Sequence, residues 1–276
     1  MRLAFSNIAW DVSEDRQVVD LLRNYQVDAI DVVPNKYFPD PGRTGDAAIG
    51  QVRHWWLDQG FEITGMQALL FGTRGLNLFG PAEVQTEMLT HLDGVCRIAA
   101  GLGATRLVFG SPKSRDRSGL GDQEAEDIAL AFFDRLAAIA SRHAVVICLE
   151  PNPPRYGCNF MLSSADTARI VRLVGRTSIR MQIDTGAIRI GGEDIAQVLA
   201  EYAPLVGHIH ASEPDMVPLG DGGVDHMKAS QAVADVLPEH LVSIETLATV
   251  AEPHLAAMER SLQTAIRCYR NADPGR

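Results

Sequence analysis

Eight short apolar runs of β character recur along the chain, each followed by a longer stretch with helical spacing. No other feature limits the fold as much. The runs are "RLAFSNIA", "DAIDVVP", "FEITGMQAL", "ATRLVFG", "AVVICLE", "IRMQIDT", "LVGHIHA" and "LVSIET". Segments between them, such as "EVQTEMLTHLDGVCRIAAGLG" and "EAEDIALAFFDRLAAIASRH", place apolar residues near the 3.6-residue period of an amphipathic helix. Helix ends are marked too: Ser163 or Ser164 opens one helix and Gly175 closes it, Glu14 and Asp15 enrich a first turn, and Gly60 and Gly103 stand where helices should stop.

Eight β-then-α units in about 270 residues match a (β/α)8 barrel in count and length. A doubly wound open sheet is the rival, but it usually carries a Gly-rich phosphate loop after its first strand. Here that strand ends "SNIAWD". The expectation is an α/β protein with one TIM-barrel domain over residues 1–270 and a C-terminal tail over 271–276.

Composition removes several function classes. The formal net charge of −10 argues against a duplex-DNA binder, which usually shows a basic face. No run reaches the length of a membrane helix, and the N-terminus reads as a strand, so no membrane partner is expected. Cys96, Cys148, Cys158 and Cys268 are scattered with no CxxC pair, which suits a reducing cytoplasm. A homo-oligomer remains open.

In such a barrel the active site gathers at the C-terminal ends of the strands. Strand 5 ends in Glu150 ("CLEP"), strand 6 in Asp184 ("QIDTG"), strand 7 in His210 ("HIHAS") and strand 8 in Glu245 ("SIETL"). The spacings of 34, 26 and 35 residues are close to one βα unit each. Three carboxylates and one imidazole suit a hard or borderline divalent cation, Mn²⁺ first, with Mg²⁺ or Co²⁺ as alternatives. One such ion is the expected cofactor.

"LEPN", "QIDTGA", "HIHASEPD" and "SIET" resemble the strand ends of the xylose-isomerase-like barrel superfamily, and "GDGGVD" after strand 7 resembles its Gly-rich loop. The similarity is strongest to single-metal enzymes of the tagatose/psicose 3-epimerase and hydroxypyruvate isomerase type. The resemblance implies that Glu150, Asp184, His210 and Glu245 hold the metal. Glu150 and Glu245 would also be the catalytic acid/base pair, moving a proton of a sugar through a metal-stabilised enediolate. The implied activity is isomerisation or epimerisation of a keto-sugar, or of a related polyol or keto-acid, with a small carbohydrate as partner. A lyase acting on a keto-sugar or inosose is the alternative, since it begins with the same proton abstraction. An endonuclease IV-like repair enzyme shares the barrel but needs more histidines. The chain departs from these relatives at Ala187 and Ile188, where a histidine often follows the strand-6 aspartate, and at Met216, where an arginine is common.

Further substrate contacts are expected from the strand-end loops: Asn7 and Trp10 after strand 1, Lys36 after strand 2, Gln67 after strand 3, Lys113 after strand 4, Tyr156 after strand 5 and Glu213 after strand 7. Lys113 belongs to a group with Ser111, Arg115 and Arg117 that could grip a phosphate or acid. His208 lies two residues before His210 and therefore on the same strand face. It is read as substrate floor or as support for His210, with Glu213 or a backbone carbonyl as the partner that orients the ligand imidazole.

Overall fold

The computed structural model describes residues 1–270. The tail expected over 271–276 lies outside the described residues. All eight predicted strands are present: β1 (Leu3–Ser6), β2 (Ala29–Val32), β3 (Glu62–Met66), β4 (Arg106–Phe109), β5 (Val146–Leu149), β6 (Ile179–Asp184), β7 (Val206–Ser212) and β8 (Val242–Glu245). Each pairs in parallel with the next, and β1 pairs with β8 (Leu3↔Val242), so the barrel is closed. The helices are α1 (Asp15–Asn24), α2 (Pro34–Tyr37), α3 (Asp46–Asp58), α4 (Ala82–Leu102), α5 (Asp122–Arg142), α6 (Ser164–Val174), α7 (Thr185–Gly191), α8 (Ile195–Tyr202), α9 (His226–Val236) and α10 (His254–Ala265).

Sequence chemistry accounts for the boundaries. Ser163 caps α6 and forms a reciprocal capping box with Asp166, and Gly175 ends the same helix with left-handed backbone at φ 63°. Strand residues such as Phe5, Ile30, Leu107, Ile147 and Ile183 are buried, together with helix residues such as Leu22, Trp56, Leu92 and Phe132. Covered by helices outside and filled by side chains inside, the strands read as nearly continuous apolar runs. The polar residues that interrupt them are therefore informative. Asp31, Gln182, His208, His210 and Ser243 are all strand residues at 4% exposure or less.

Register sets the depth of each group. Asp184 pairs with His210 and Ser212 with Glu245, so β7 runs two residues beyond His210, not ending at it as expected. No described helix is long and apolar enough to cross a membrane.

Candidate functional site

Ligand-type atoms of Glu150, Asp184, His210 and Glu245 lie within 4.8 Å of one another at the C-terminal mouth of the barrel. Glu150, Asp184 and Glu245 line a cavity of about 600 Å³, with His210 buried behind them. From the His210 Nδ1 atom, Glu245 Oε2 is 3.2 Å away, and Glu150 Oε1 and Asp184 Oδ2 are each 3.9 Å away. Among the described residues, neither ring nitrogen of the fully buried His210 has a hydrogen-bond partner.

Each carboxylate is held from outside, and each of the two glutamates leaves one oxygen free. Glu150 Oε2 accepts from Asn152 Nδ2 at 2.9 Å, and Glu245 Oε1 accepts from Gln67 Nε2 at 2.5 Å. Asp184 caps α7: its Oδ1 accepts from Ala187 N at 2.6 Å, while its Oδ2 accepts from the Ser212 hydroxyl at 2.7 Å. The inner oxygens of the two glutamates, Glu150 Oε1 and Glu245 Oε2, both face the imidazole. Gly110 makes room for this arrangement, because a Cβ there would lie 2.3 Å from Glu150 Oε2.

Three carboxylates this close, two buried and one largely so, cannot all remain charged without compensation. Burial, reinforced by the charges of Glu245 and Asp184, pushes Glu150 up to about 7. Burial and the charge of Glu245 push Asp184 up to about 7 as well. Burial raises Glu245 against the opposing pull of the Gln67 amide. The donor set therefore fits a divalent cation: it supplies several oxygens and one unpartnered imidazole, with an excess of negative charge to neutralise.

Beneath this ring lies Asp31. Its Oδ2 accepts from His208 Nε2 at 2.7 Å and sits 4.0 Å from His210 Nε2, and its Oδ1 accepts from the Thr64 hydroxyl at 2.9 Å. Burial alone would raise its carboxyl, but the charge of His208 and the hydrogen bond from it outweigh that and hold it at about 2. Gly65 on the neighbouring strand leaves the space this carboxylate fills, since a Cβ there would meet Asp31 Oδ1 at 2.6 Å.

The predicted substrate residues divide. Gln67, Lys113, Tyr156 and Glu213 line the cavity. Asn7, Trp10, Lys36 and His208 do not. Lys36 turns back on the β1 loop, where its ammonium donates to Asn7 O at 2.6 Å and Trp10 O at 2.5 Å. Asn7 accepts from Val33 N, and the buried Trp10 donates its indole N–H to Asp15. These three residues tie the β1 and β2 loops together. His208 meets Asp31, and the partner expected for His210 is corrected as well. Glu213 is turned away, accepting from Gly220 N, Val224 N and His226 Nε2, and so anchors the Gly-rich loop.

The basic group after β4 is likewise reduced. Arg115 is fully buried, donating to Glu150 O and to Asn152 Oδ1, and so presents the Asn152 amide to Glu150. Arg117 pairs with Asn159 and Asp122. Among the described residues, Lys113 is the one cationic side chain on the cavity wall, and it has no hydrogen bond or ion pair. Asn152 was not predicted as a site residue, although it closes the family-like "LEPN" two residues beyond Glu150. Backbone strain also gathers at this cavity. Ala68, Ser111 and Met216 line it with left-handed φ values of 52°, 41° and 52°, each costing about 1 kcal/mol.

A family model described as xylose isomerase-like TIM barrel matches residues 19–271. The chain belongs to this family. It is 28% identical over 145 residues to a Xenopus laevis protein named as a candidate hydroxypyruvate isomerase; that match covers 48% of this chain and 51%, about half, of the relative. The fold is similar to D-psicose 3-epimerase from Clostridium cellulolyticum H10, solved with D-tagatose, at a TM-score of 0.78 and 16% identity over 99% of both chains. It is also similar to the IOLI protein, solved with a bound zinc atom, at a TM-score of 0.77 and 15% identity over 99% of this chain and 100% of that one.

Proposed function

We propose that this protein is a divalent-metal-dependent isomerase or epimerase of a keto-sugar or a related polyol or keto-acid. The observation that carries the reading is the convergence of three carboxylates on the imidazole of His210, which has no hydrogen-bond partner among the described residues. Family membership and the activities named for the similar proteins support it.

Glu150, Asp184, His210 and Glu245 would hold the cation. Bound there, Mn²⁺ or a similar ion would act as a Lewis acid on the substrate carbonyl and acidify the neighbouring C–H. The remaining work belongs to the chain. Glu150 and Glu245 are assigned as the acid/base pair, because each has one oxygen pinned by an amide and the other free at the centre. One carboxylate takes the proton from the carbon beside the carbonyl. Return of that proton to the former carbonyl carbon, with the hydroxyl proton passing to the former carbonyl oxygen, completes an isomerisation. Delivery of a proton by the other glutamate, from the opposite face, inverts the centre. Asn152 and Gln67 fix the direction of the free oxygens, which matters because proton transfer needs heavy-atom separations near 3 Å. Tyr156, whose hydroxyl accepts from Asp215 N, ties the β5 loop to the β7 loop over the cavity. Lys113 is assigned to a negative or strongly polar end of the substrate.

The test is solvent deuterium incorporation, read by NMR on a panel of ketoses, keto-acids and inososes with Mn²⁺ present. We expect exchange at the carbon beside the carbonyl with an isomer or epimer as product, and loss of exchange in Glu245→Gln and Glu150→Gln. Exchange that survives in Glu245→Gln removes the acid/base assignment. A dehydrated product replaces the isomerase reading with a lyase.

A further inference from the structure

Below the strand-end groups, Asp31, His208 and His210 form a second buried set that shares His210 with the first. Resting on the metal reading above, we propose that Asp31 is a positioning residue for His210. It holds the ring so that Nε2 carries the hydrogen and the Nδ1 lone pair points at Glu150, Asp184 and Glu245.

Ring orientation is the first support. Nδ1 faces three carboxylates at 3.2 to 3.9 Å, whereas Nε2 faces Asp31 Oδ2 at 4.0 Å. A neutral imidazole has one N–H and one lone pair, and a cation held by the three carboxylates would take the lone pair on the Nδ1 side, so that the hydrogen falls on Nε2, the side Asp31 faces. With Asp31 on the Nε2 side, the lone pair is left for the cation side.

Asp31 is also fixed in place. It is 1% exposed, and its Oδ2 is clamped by His208 while its Oδ1 is held by Thr64. The missing side chain at Gly65 accommodates it. His208 thereby acquires a role: its ring packs edge-on against His210, with centroids 5.1 Å apart, and it keeps Asp31 beneath that ring. No other carboxylate in the described contacts approaches Nε2, and Glu213 is engaged elsewhere. Outer partners of metal-bound imidazoles orient the ring and raise its basicity, and their loss typically weakens metal binding about 10- to 100-fold.

The experiment uses the full chain loaded with Zn²⁺ and labelled with ¹⁵N-histidine. Long-range ¹H–¹⁵N correlation reads which nitrogen of His210 is coordinated, and chelator competition reads affinity and stoichiometry. We expect coordination through Nδ1 with hydrogen on Nε2, and one Zn²⁺ per chain. In Asp31→Asn, Zn²⁺ affinity should fall about 10- to 100-fold with the circular dichroism spectrum unchanged. Coordination through Nε2, or affinity within twofold in Asp31→Asn, overturns the proposal. A second Zn²⁺ that disappears in both Asp31→Asn and His208→Gln also overturns it, because Asp31 would then be a ligand. If Asp31→Asn does not fold, the spectrum of the unsubstituted protein still decides. Failure of that protein to bind Zn²⁺ removes the metal reading and this proposal with it, whereas unchanged affinity with one ion bound removes this proposal alone.

Discussion

Gly110→Ala is the substitution that separates the site's geometry from the fold's stability. A Cβ at this position would lie 2.3 Å from Glu150 Oε2, against an ordinary contact of at least 3.4 Å, so the oxygen must retreat by about 1.1 Å. The other nearby atoms, Glu150 Cδ at 3.4 Å and Asn152 Oδ1 at 3.6 Å, are already at ordinary distance, and no backbone atom is among the closest neighbours. Gly110 does not hold left-handed backbone. The new methyl therefore strains one movable carboxylate and little else. The displacement breaks the 2.9 Å bond from Asn152 Nδ2 and carries Glu150 off its axis. Stability should change by less than about 1 kcal/mol, since a compatible Gly→Ala change also stiffens the unfolded chain. Misplacing a catalytic group by about 1 Å costs on the order of 100-fold in rate. The assays are deuterium exchange on the best substrate of the panel, Mn²⁺ affinity and a thermal melt. A Gly110→Ala protein with turnover within twofold of the parent and unchanged Mn²⁺ affinity refutes the position given to Glu150.

Three further outcomes follow from the same geometry. With chelator present, the fold should lose stability as pH rises from about 4 through 7. Glu150 and Asp184 stay protonated up to about 7 when folded, whereas in the unfolded chain they ionise near their ordinary values of 4.5 and 3.8, so the folded state binds more protons in that window. Saturating Mn²⁺ should remove this slope, and melts at pH 5 and pH 8 with and without the ion check it. Lys36→Met should lower stability by about 2 kcal/mol through loss of two charge-assisted hydrogen bonds and leave KM within twofold; a large KM effect would return Lys36 to the substrate site. Lys113→Ala should raise KM about three- to tenfold for carboxylate- or phosphate-bearing substrates and spare neutral ketoses, which steady-state kinetics on matched pairs resolves.

The barrel was legible in the sequence because its signal is repetitive. Eight apolar runs of similar length, separated by helical periods, leave few alternatives, and the runs from β5 to β8 each carry a ligand-type side chain at or near the end. The loops were less legible. Lys36, Asn7 and Trp10 have the chemistry of substrate contacts, and nothing in their local pattern tells that the chain folds Lys36 back onto two carbonyls. Arg115 reads as part of a group that could grip a phosphate or acid, yet it is buried behind Glu150, where only the three-dimensional path of the β5 loop supplies its acceptors. Glu213 matched the family pattern, but its partners come from a turn seven to thirteen residues downstream. Asp31 was visible inside the second strand. Its contact with His208 spans 177 residues and depends on closure of the barrel.

The most direct test of metal-dependent proton transfer is the exchange rate measured while Mn²⁺ is titrated into chelator-treated protein. The rate should start near zero, rise linearly and break at one ion per chain, and His210→Ala should abolish the rise. Full exchange in the presence of chelator, or a rate indifferent to added Mn²⁺, would contradict the account.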